Sequence, residues 1–272
     1  MSISHVRESH ARLRAILFDI DDTLLDWSNR PATGQNHRKE HLARAYRYAV
    51  KAGYRMNAPE STFFEIALAL FDQAWSVGKQ GEGAPHIGNV LQQTFEKMGV
   101  PSKQIDLMAL LRAYDWHAVE GVTLFPDVPD VLPAIRAAGM KTGLITNSGH
   151  PMWMRDVELN SYGLLEYFPD CRFSAADVGW LKPYPAIFEA ALNCLGIAPE
   201  EAVFVGDEPM ADIVGAQSIG MRAVLRLRAN LMHVSSVLVV PDGTIRTLND
   251  LLPLLDSWYP GWRKSTMKAK SP

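Results

Sequence analysis

Cysteine is scarce in this sequence. Only Cys171 and Cys194 occur among 272 residues, and they stand 23 positions apart. Two such residues cannot build the disulfide framework of a small secreted domain, and no paired Cys or His spacing suits a zinc site. We therefore expect two free thiols in a reducing, cytoplasmic protein.

An excess of basic charge is also absent. Lys and Arg total 27 against 30 Asp and Glu, so the formal net charge is -3. Without a broad basic field, nucleic acid is excluded as a general partner. Long hydrophobic runs are missing too: no stretch approaches the about 20 apolar residues of a membrane span, and the N-terminus lacks the apolar core of a signal peptide. We expect no membrane partner.

Short apolar strands alternate with amphipathic helices in two parts of the chain. The first strand runs from Leu13 to Phe18, and similar runs lie at 140–148, 171–175, 202–208 and 221–226. Helical patterns lie at 128–139, 150–163, 185–196 and 210–220. This alternation predicts an α/β core, a doubly wound (Rossmann-like) parallel sheet, formed by residues 1–27 and 121–257.

The stretch at 28–120 contains no convincing strand. Its apolar residues follow helical spacing in two segments, around 42–50 and 63–75, and further helices are expected around 88–98 and 103–117. We predict an all-α cap domain inserted directly after the first strand. The remaining segment, 258–272, carries four basic residues and no acidic one. We expect this tail to be partly disordered.

Carboxylates crowd the end of the first strand, in the sequence FDIDDTLL. Asp19 and Asp21 stand two apart, where ligands bind in open α/β sheets. Two carboxylates a few ångströms apart are unfavourable unless a cation or a shared proton offsets them. With oxygen donors and no nearby His or Cys, Mg²⁺ fits better than zinc or copper. Acidic residues after a strand also often make a turn or cap the next helix, so this pattern alone is only suggestive.

Three further features follow in order, each near a strand end. Thr146 and Asn147 follow an apolar strand, where a hydroxyl and backbone amides suit a phosphate oxygen. Lys182 precedes a helix that begins with proline. Asp207 and Asp212 stand five apart across a strand-to-helix turn, which brings more oxygen ligands near the first cluster.

In this combination the chain resembles the haloacid dehalogenase superfamily, specifically its phosphatase branch with an α-helical cap. The resemblance spans the motifs from Asp19 to Asp212. It implies a phosphohydrolase in which Asp19 attacks phosphorus to form an aspartyl-phosphate, while Asp21 protonates the leaving oxygen and later activates water. The implied substrate is a small phosphorylated metabolite, such as a nucleotide monophosphate or a sugar phosphate.

The resemblance also implies the remaining roles at the site. Thr146, the Asn147 amide and Lys182 would hold the phosphoryl oxygens. Mg²⁺ would be bound by Asp19, the Asp21 carbonyl and Asp207, whereas Asp212 would reach a metal-bound water or orient Lys182. Thr23 and Asp22 are expected to shape the turn.

Several alternatives stay open. A phosphomutase keeps both aspartates and is not excluded by these motifs. The 2-haloacid dehalogenases lack an acid two residues after the nucleophile, so Asp21 counts against that branch, and a phosphonate hydrolase would have a small residue there. A receiver-type signalling module has no helical insert. A catalytically silent phosphate-binding or regulatory protein would have kept the motif residues without the activity. The sequence leaves the oligomeric state open.

Substrate choice would depend on the cap, since the core contacts only the shared phosphoryl group. The candidate lining residues are His37, Arg38, His41 and His86. For each of them a solvated or packing role is the simpler expectation. Trp75 shares helical spacing with Phe71 and is expected in the cap core, whereas Trp180 could face the entrance.

Overall fold

The computed structural model describes residues 12–30, 35–227 and 239–264. Its strands are β1 (Ala15–Phe18), β2 (Leu25–Asp26), β3 (Thr123–Leu124), β4 (Lys141–Thr146), β5 (Cys171–Ser174), β6 (Ala202–Gly206), β7 (Arg222–Arg226) and β8 (Gly243–Ile245). Six of them form one sheet in the order β5-β4-β1-β6-β7-β8. All of its neighbouring pairs are parallel. The predicted doubly wound α/β core is confirmed.

The central strands are apolar because both of their faces are covered. All four residues of β1 are buried, with Ile16 and Phe18 in one hydrophobic cluster and Leu17 in the other. Such two-sided burial produces the continuous apolar runs that made these strands recognisable. Strand β8 was not predicted, because it has three residues at the sheet edge and no apolar run.

Helices fill the chain between β2 and β3. They are α1 (Gln35–Lys51), α2 (Glu60–Lys79), α3 (Ile87–Lys97) and α4 (Leu107–Tyr114), with a short 3₁₀ turn at Ser102–Gln104. Strands β2 and β3 pair antiparallel, Leu25 opposite Leu124, so the two connections to the helical segment lie side by side. In the described residues between β2 and β3 there is no strand, as predicted. The cap boundaries at 28 and 120 stay a prediction.

The remaining helices flank the sheet. They are α5 (Val128–Ala137), α6 (Met152–Ser161), α7 (Ala175–Val178), α8 (Pro185–Leu195), α9 (Gly215–Ser218) and α10 (Leu251–Trp258). The helix expected over 210–220 differs in form. A π-helix occupies Pro209–Val214 and the α-helical part begins only at Gly215. Wide turns of this kind often occur at functional sites, and this one contains Asp212.

The described part of the C-terminal tail is packed against the core. Tyr259 and Trp262 are both buried, and Trp262 donates its indole N–H to Asp256. The rest of the predicted disordered tail, from 265 to 272, lies outside the described residues. Both cysteines are free, as expected. Among the described helices, none has the length and apolar character needed to cross a bilayer.

Candidate active site

Three acidic side chains meet where β1 and β6 end. These strands pair in parallel with Phe18 opposite Val205, so the residues that follow them lie at one edge of the sheet. Asp19 donates its backbone N–H to the Val205 carbonyl at 2.9 Å. Carboxylate oxygens of Asp19, Asp207 and Asp212 all lie within 4.8 Å of one another, and all three residues are buried.

Lys182 joins two of these carboxylates. Its Nζ lies 2.6 Å from Oδ1 of Asp19 and 2.6 Å from Oδ1 of Asp212, and the residue is buried. The side chain of Asn147 holds the Lys182 backbone from both sides, accepting from its N–H at 2.7 Å and donating to its carbonyl at 3.0 Å. Asn147 therefore positions Lys182, a contact that the sequence did not indicate.

Asp212 uses both of its oxygens within the protein. Oδ1 faces Lys182, whereas Oδ2 accepts backbone N–H groups of Asp207 at 3.0 Å and Glu208 at 2.9 Å. A β-carbon on Gly206 would collide with this carboxylate, so the close approach requires glycine there. Of the two roles that the sequence left open, this geometry favours the one in which Asp212 orients Lys182.

The three buried carboxylates lie close enough to repel one another, and Lys182 is paired with two of them, Asp19 and Asp212. Burial raises the pKa of Asp19 well above its ordinary value, and the charges of Asp212, Asp207 and Asp21 raise it further, while Lys182 opposes them. Burial alone would lower the pKa of Lys182, but Asp19 and Asp212 raise it, so the lysine stays charged. A hard divalent cation fits this oxygen-only donor set and would offset the mutual repulsion of the carboxylates.

Asp21 lies outside the three-carboxylate cluster and has different partners. Its Oδ1 accepts Nη2–H of Arg155 at 2.9 Å and the indole N–H of Trp27 at 3.0 Å. Two aspartates only two residues apart therefore have different environments. Arg155 lies in the middle of α6 and Trp27 near the connection to the helical segment, and neither was predicted as a site residue. No local motif distinguishes Arg155 from other helical arginines.

The turn after β1 supports the cluster. Thr23 is buried and donates its hydroxyl to Oδ1 of Asp207 at 3.3 Å. Asp22 has φ of 56°, a left-handed conformation that Asp tolerates, and its Oδ1 accepts the Trp27 N–H at 3.3 Å. Thr146 is buried at the end of β4, next to β1 in the sheet. The turn role expected for Thr23 thus includes a direct contact with Asp207.

The cap candidates differ in exposure and partners. His41 is fully buried, with Nδ1 2.8 Å from the Tyr114 carbonyl and Nε2 3.0 Å from Nε2 of His37. His86 accepts the Gly88 N–H at 2.9 Å and caps α3. The guanidinium of Arg38 lies 4.1 Å from the centre of the Phe71 ring. His41 and His86 therefore have structural partners, and His41 has no exposed surface for a substrate.

The glycine-containing loop of the helical segment lies against the core beside the site. Ile87 donates its N–H to the Gly149 carbonyl at 2.8 Å, three residues beyond Thr146. A β-carbon on Gly81 would collide with the Tyr184 hydroxyl, two residues beyond Lys182. Trp180 is partly exposed, with its ring 5.8 Å from that of Tyr184. The cap is thus in contact with both phosphate-binding segments that the sequence predicted.

Comparisons with known proteins identify the family of the chain. The family model for haloacid dehalogenase-like hydrolases matches residues 13–220. The glyceraldehyde 3-phosphate phosphatase of Methanothermobacter thermautotrophicus is 29% identical over 216 residues, which are 78% of this chain and 85% of that protein. The phosphoglycolate phosphatase of Shigella boydii is 29% identical over 89% of this chain and 92% of its own.

A solved structure is similar over almost the whole chain. It is a 2-haloacid dehalogenase from Pseudomonas syringae pv. Tomato, with a TM-score of 0.61 and 29% sequence identity, and the match covers 90% of this chain and 99% of that one. The similar proteins thus carry the names of two different reactions, phosphate ester hydrolysis and dehalogenation. The site residues are needed to choose between these reactions for this chain.

Proposed function

We propose that this chain, which belongs to the haloacid dehalogenase-like hydrolase family, is a magnesium-dependent phosphatase of small phosphorylated metabolites. The observation that carries the proposal is the buried group of Asp19, Asp207 and Asp212 with Lys182 between two of its carboxylates. Such a group can hold a metal and a phosphoryl oxygen at once. Nucleotide monophosphates, sugar phosphates and similar small esters are the proposed substrate class.

The proposed reaction has two displacements at phosphorus. In the first, a carboxylate oxygen of Asp19 bonds to phosphorus, the bond to the leaving oxygen breaks, and Asp21 gives that oxygen a proton. In the second, water attacks the aspartyl-phosphate and passes a proton to Asp21, while the bond between Asp19 and phosphorus breaks. Thr146, the Asn147 N–H and Lys182 stabilise the negative oxygens of the transferring group.

The metal role is divided between side chains and backbone. Asp19, Asp207 and the carbonyl of Asp21 would hold Mg²⁺, which when bound neutralises charge on the phosphoryl oxygens. Asp212 keeps Lys182 and the backbone of Asp207 in place.

The position of Asp21 favours phosphate esters over haloacids. An alkoxide leaving group needs a proton, whereas a halide leaves without one, so a held carboxyl beside the nucleophile serves only the first reaction. Two of the relatives are named phosphatases, which supports the same choice. The relative named 2-haloacid dehalogenase makes a direct comparison of the two substrate classes necessary.

The test is phosphate release from a panel with and without Mg²⁺. The panel contains glyceraldehyde 3-phosphate, phosphoglycolate, nucleoside monophosphates and sugar phosphates, with 2-chloropropionate for halide release. We expect magnesium-dependent phosphate release that Asp19→Asn abolishes. The matched control is Asp22→Asn, since Asn tolerates the left-handed turn and should retain activity. Halide release without phosphate release, or full activity in Asp19→Asn, would refute the proposal.

A further inference from the structure

A buried arginine from a distant part of the sequence contacts Asp21, the proposed proton donor. Arg155 lies in α6, 134 residues beyond Asp21, and its Nη2 donates to Oδ1 of Asp21 at 2.9 Å. The Arg155 side chain is only 4% exposed, whereas that of Asp21 is 34% exposed. The arginine therefore approaches the carboxylate from inside the protein and leaves the other side of Asp21 accessible.

The guanidinium also forms an ion pair with a second acid. Its Nε lies 3.1 Å from Oε2 of Glu158, one turn along α6, and Glu158 is fully buried. The indole N–H of Trp116 donates to that same oxygen at 2.9 Å. A buried cation is unfavourable unless it is paired, so separating Arg155 from Glu158 would cost free energy. The guanidinium is thus paired with Glu158 through Nε and donates to Asp21 through Nη2, so one side chain links the two acids.

A second donor acts on the same atom of Asp21. The indole N–H of Trp27 reaches Oδ1 at 3.0 Å from the connection into the helical segment. Within the described part of the chain, the hydrogen bonds to the Asp21 carboxylate both end on Oδ1. Two donors on one oxygen fix the rotation of the carboxyl group and leave Oδ2 for a ligand.

We propose that Arg155 is a positioning residue, which with Trp27 aims Oδ2 of Asp21 at the leaving oxygen of the substrate. The inference rests on the proposed phosphatase function and goes beyond it, since Arg155 does not touch the reacting atoms. Proton transfer needs the donor within hydrogen-bond distance and direction of the leaving oxygen. A carboxyl free to rotate would meet that condition for only part of the time.

The test uses the leaving group to separate positioning from general damage. An alkyl phosphate needs a proton at the leaving oxygen, whereas p-nitrophenolate leaves without one. The quantity compared is kcat/KM, which includes steps only up to release of the alcohol. In Arg155→Lys the positive charge stays, but a point donor cannot span Asp21 and Glu158 together. We expect its loss on an alkyl phosphate to be at least tenfold larger than its loss on p-nitrophenyl phosphate.

The matched control is Arg172→Lys. Arg172 also makes a two-point contact with an α6 carboxylate, at 2.8 and 3.1 Å from Asp156, but has no contact with Asp21. Its ratio of the two kcat/KM values should match wild type. Equal losses on both substrates in Arg155→Lys, or no loss, would overturn the positioning role.

A second variant covers the case in which Arg155→Lys does not fold. Trp27 is half-buried, and Trp27→Phe removes its donor while retaining the ring. We expect a smaller selective loss on the alkyl phosphate, and an unchanged ratio would overturn the proposal. Failure of the proposed function itself is distinct: wild type would then release phosphate from neither substrate.

Discussion

The hydroxyl of Thr23 donates a hydrogen bond to Oδ1 of Asp207 at 3.3 Å, across 184 positions of sequence. Asp207 is one of the carboxylates proposed to hold Mg²⁺, so this bond orients a metal ligand from the turn after β1. Partners of this kind commonly account for 10- to 100-fold in metal affinity.

Loss of this bond should weaken magnesium binding. We expect Thr23→Val, which retains the shape but not the hydroxyl, to raise the Mg²⁺ concentration for half-maximal activity by about tenfold. Thr23→Ser retains the donor and should stay near wild type. The affinity for Mg²⁺ is measured by titrating activity with Mg²⁺ and by direct calorimetric titration. Identical midpoints in the Val and Ser variants would contradict the orienting role.

Gly206 should be irreplaceable even by alanine. A β-carbon there would collide with the carboxylate of Asp212 and force it away from Lys182 and the Asp207 N–H. We expect Gly206→Ala to lower kcat by about a hundredfold or more, as loss of an electrostatic stabiliser does. The control is Gly163→Ala: at φ 68° it meets no atom within 4 Å, so it should lower stability by about 1 kcal/mol and leave kcat unchanged. An active Gly206→Ala protein would contradict the argument.

The buried ion pair of Asp127 and Arg226 should contribute strongly to the free energy of unfolding. Arg226 donates to both oxygens of Asp127, at 2.9 Å to the nearer one, and also to the Thr23 carbonyl at 3.1 Å. Removing one charge leaves the other buried and unpaired, so Asp127→Asn should lower the free energy of unfolding by about 3 kcal/mol. Urea unfolding measures this difference.

A surface pair provides the control for that measurement. Arg14 and Glu201 are 3.1 Å apart, but their side chains are 43% and 25% exposed. Water screens such pairs, so Glu201→Gln should cost at most about 1 kcal/mol. Equal losses of stability from the two substitutions would show that burial does not determine how much these ion pairs stabilise the protein.

His41 should make the fold sensitive to acid. Burial is the main cause that lowers its folded-state pKa to about 4, with smaller contributions from the nearby His37, His117 and Arg44, while the Tyr114 carbonyl opposes them. In the unfolded chain the pKa is about 6.5, so the unfolded state gains a proton first as pH falls. The stabilisation is therefore complete above about pH 6.5 and is lost progressively toward pH 4.

The expected loss is roughly 2 kcal/mol between pH 7.5 and pH 5. Urea unfolding at these two pH values should show wild type losing that much more stability than His41→Gln. A His41→Gln protein with the same pH dependence as wild type would contradict the prediction.

Most of the sheet was recognisable in the sequence because its central strands are buried on both faces. Strands β1 and β6 consist of buried, largely apolar residues, which appear as short apolar runs. The edge strand β8 has no such run, and the predicted helix over 210–220 begins as a π-helix. Neither the edge strand nor the π-helix is marked by a local sequence pattern, because edge pairing and a widened helical turn depend on residues from elsewhere in the chain.

The site follows the same division. The shared location of Asp19, Thr146 and Asp207 could be predicted because each lies at or directly after the end of a strand, and parallel strands bring their carboxyl ends to one edge. The contact of Asn147 with the Lys182 backbone could not, because it joins two loops through side-chain geometry. The same holds for the histidine His41, whose burial against Tyr114 removes it from the candidate lining residues.

The sequence by itself determined the parallel α/β core, the helical insert and the acidic and hydroxyl groups at the strand ends, because burial and chain direction are encoded locally. Only the tertiary structure decided what those groups contact. Asp19 is beside Lys182, whereas Asp21, two residues on, is held by Arg155 and Trp27. The physical reason is that a carboxylate's environment is set by the helices and loops packed around the sheet edge, and the charged partners Lys182 and Arg155 come from positions more than a hundred residues away.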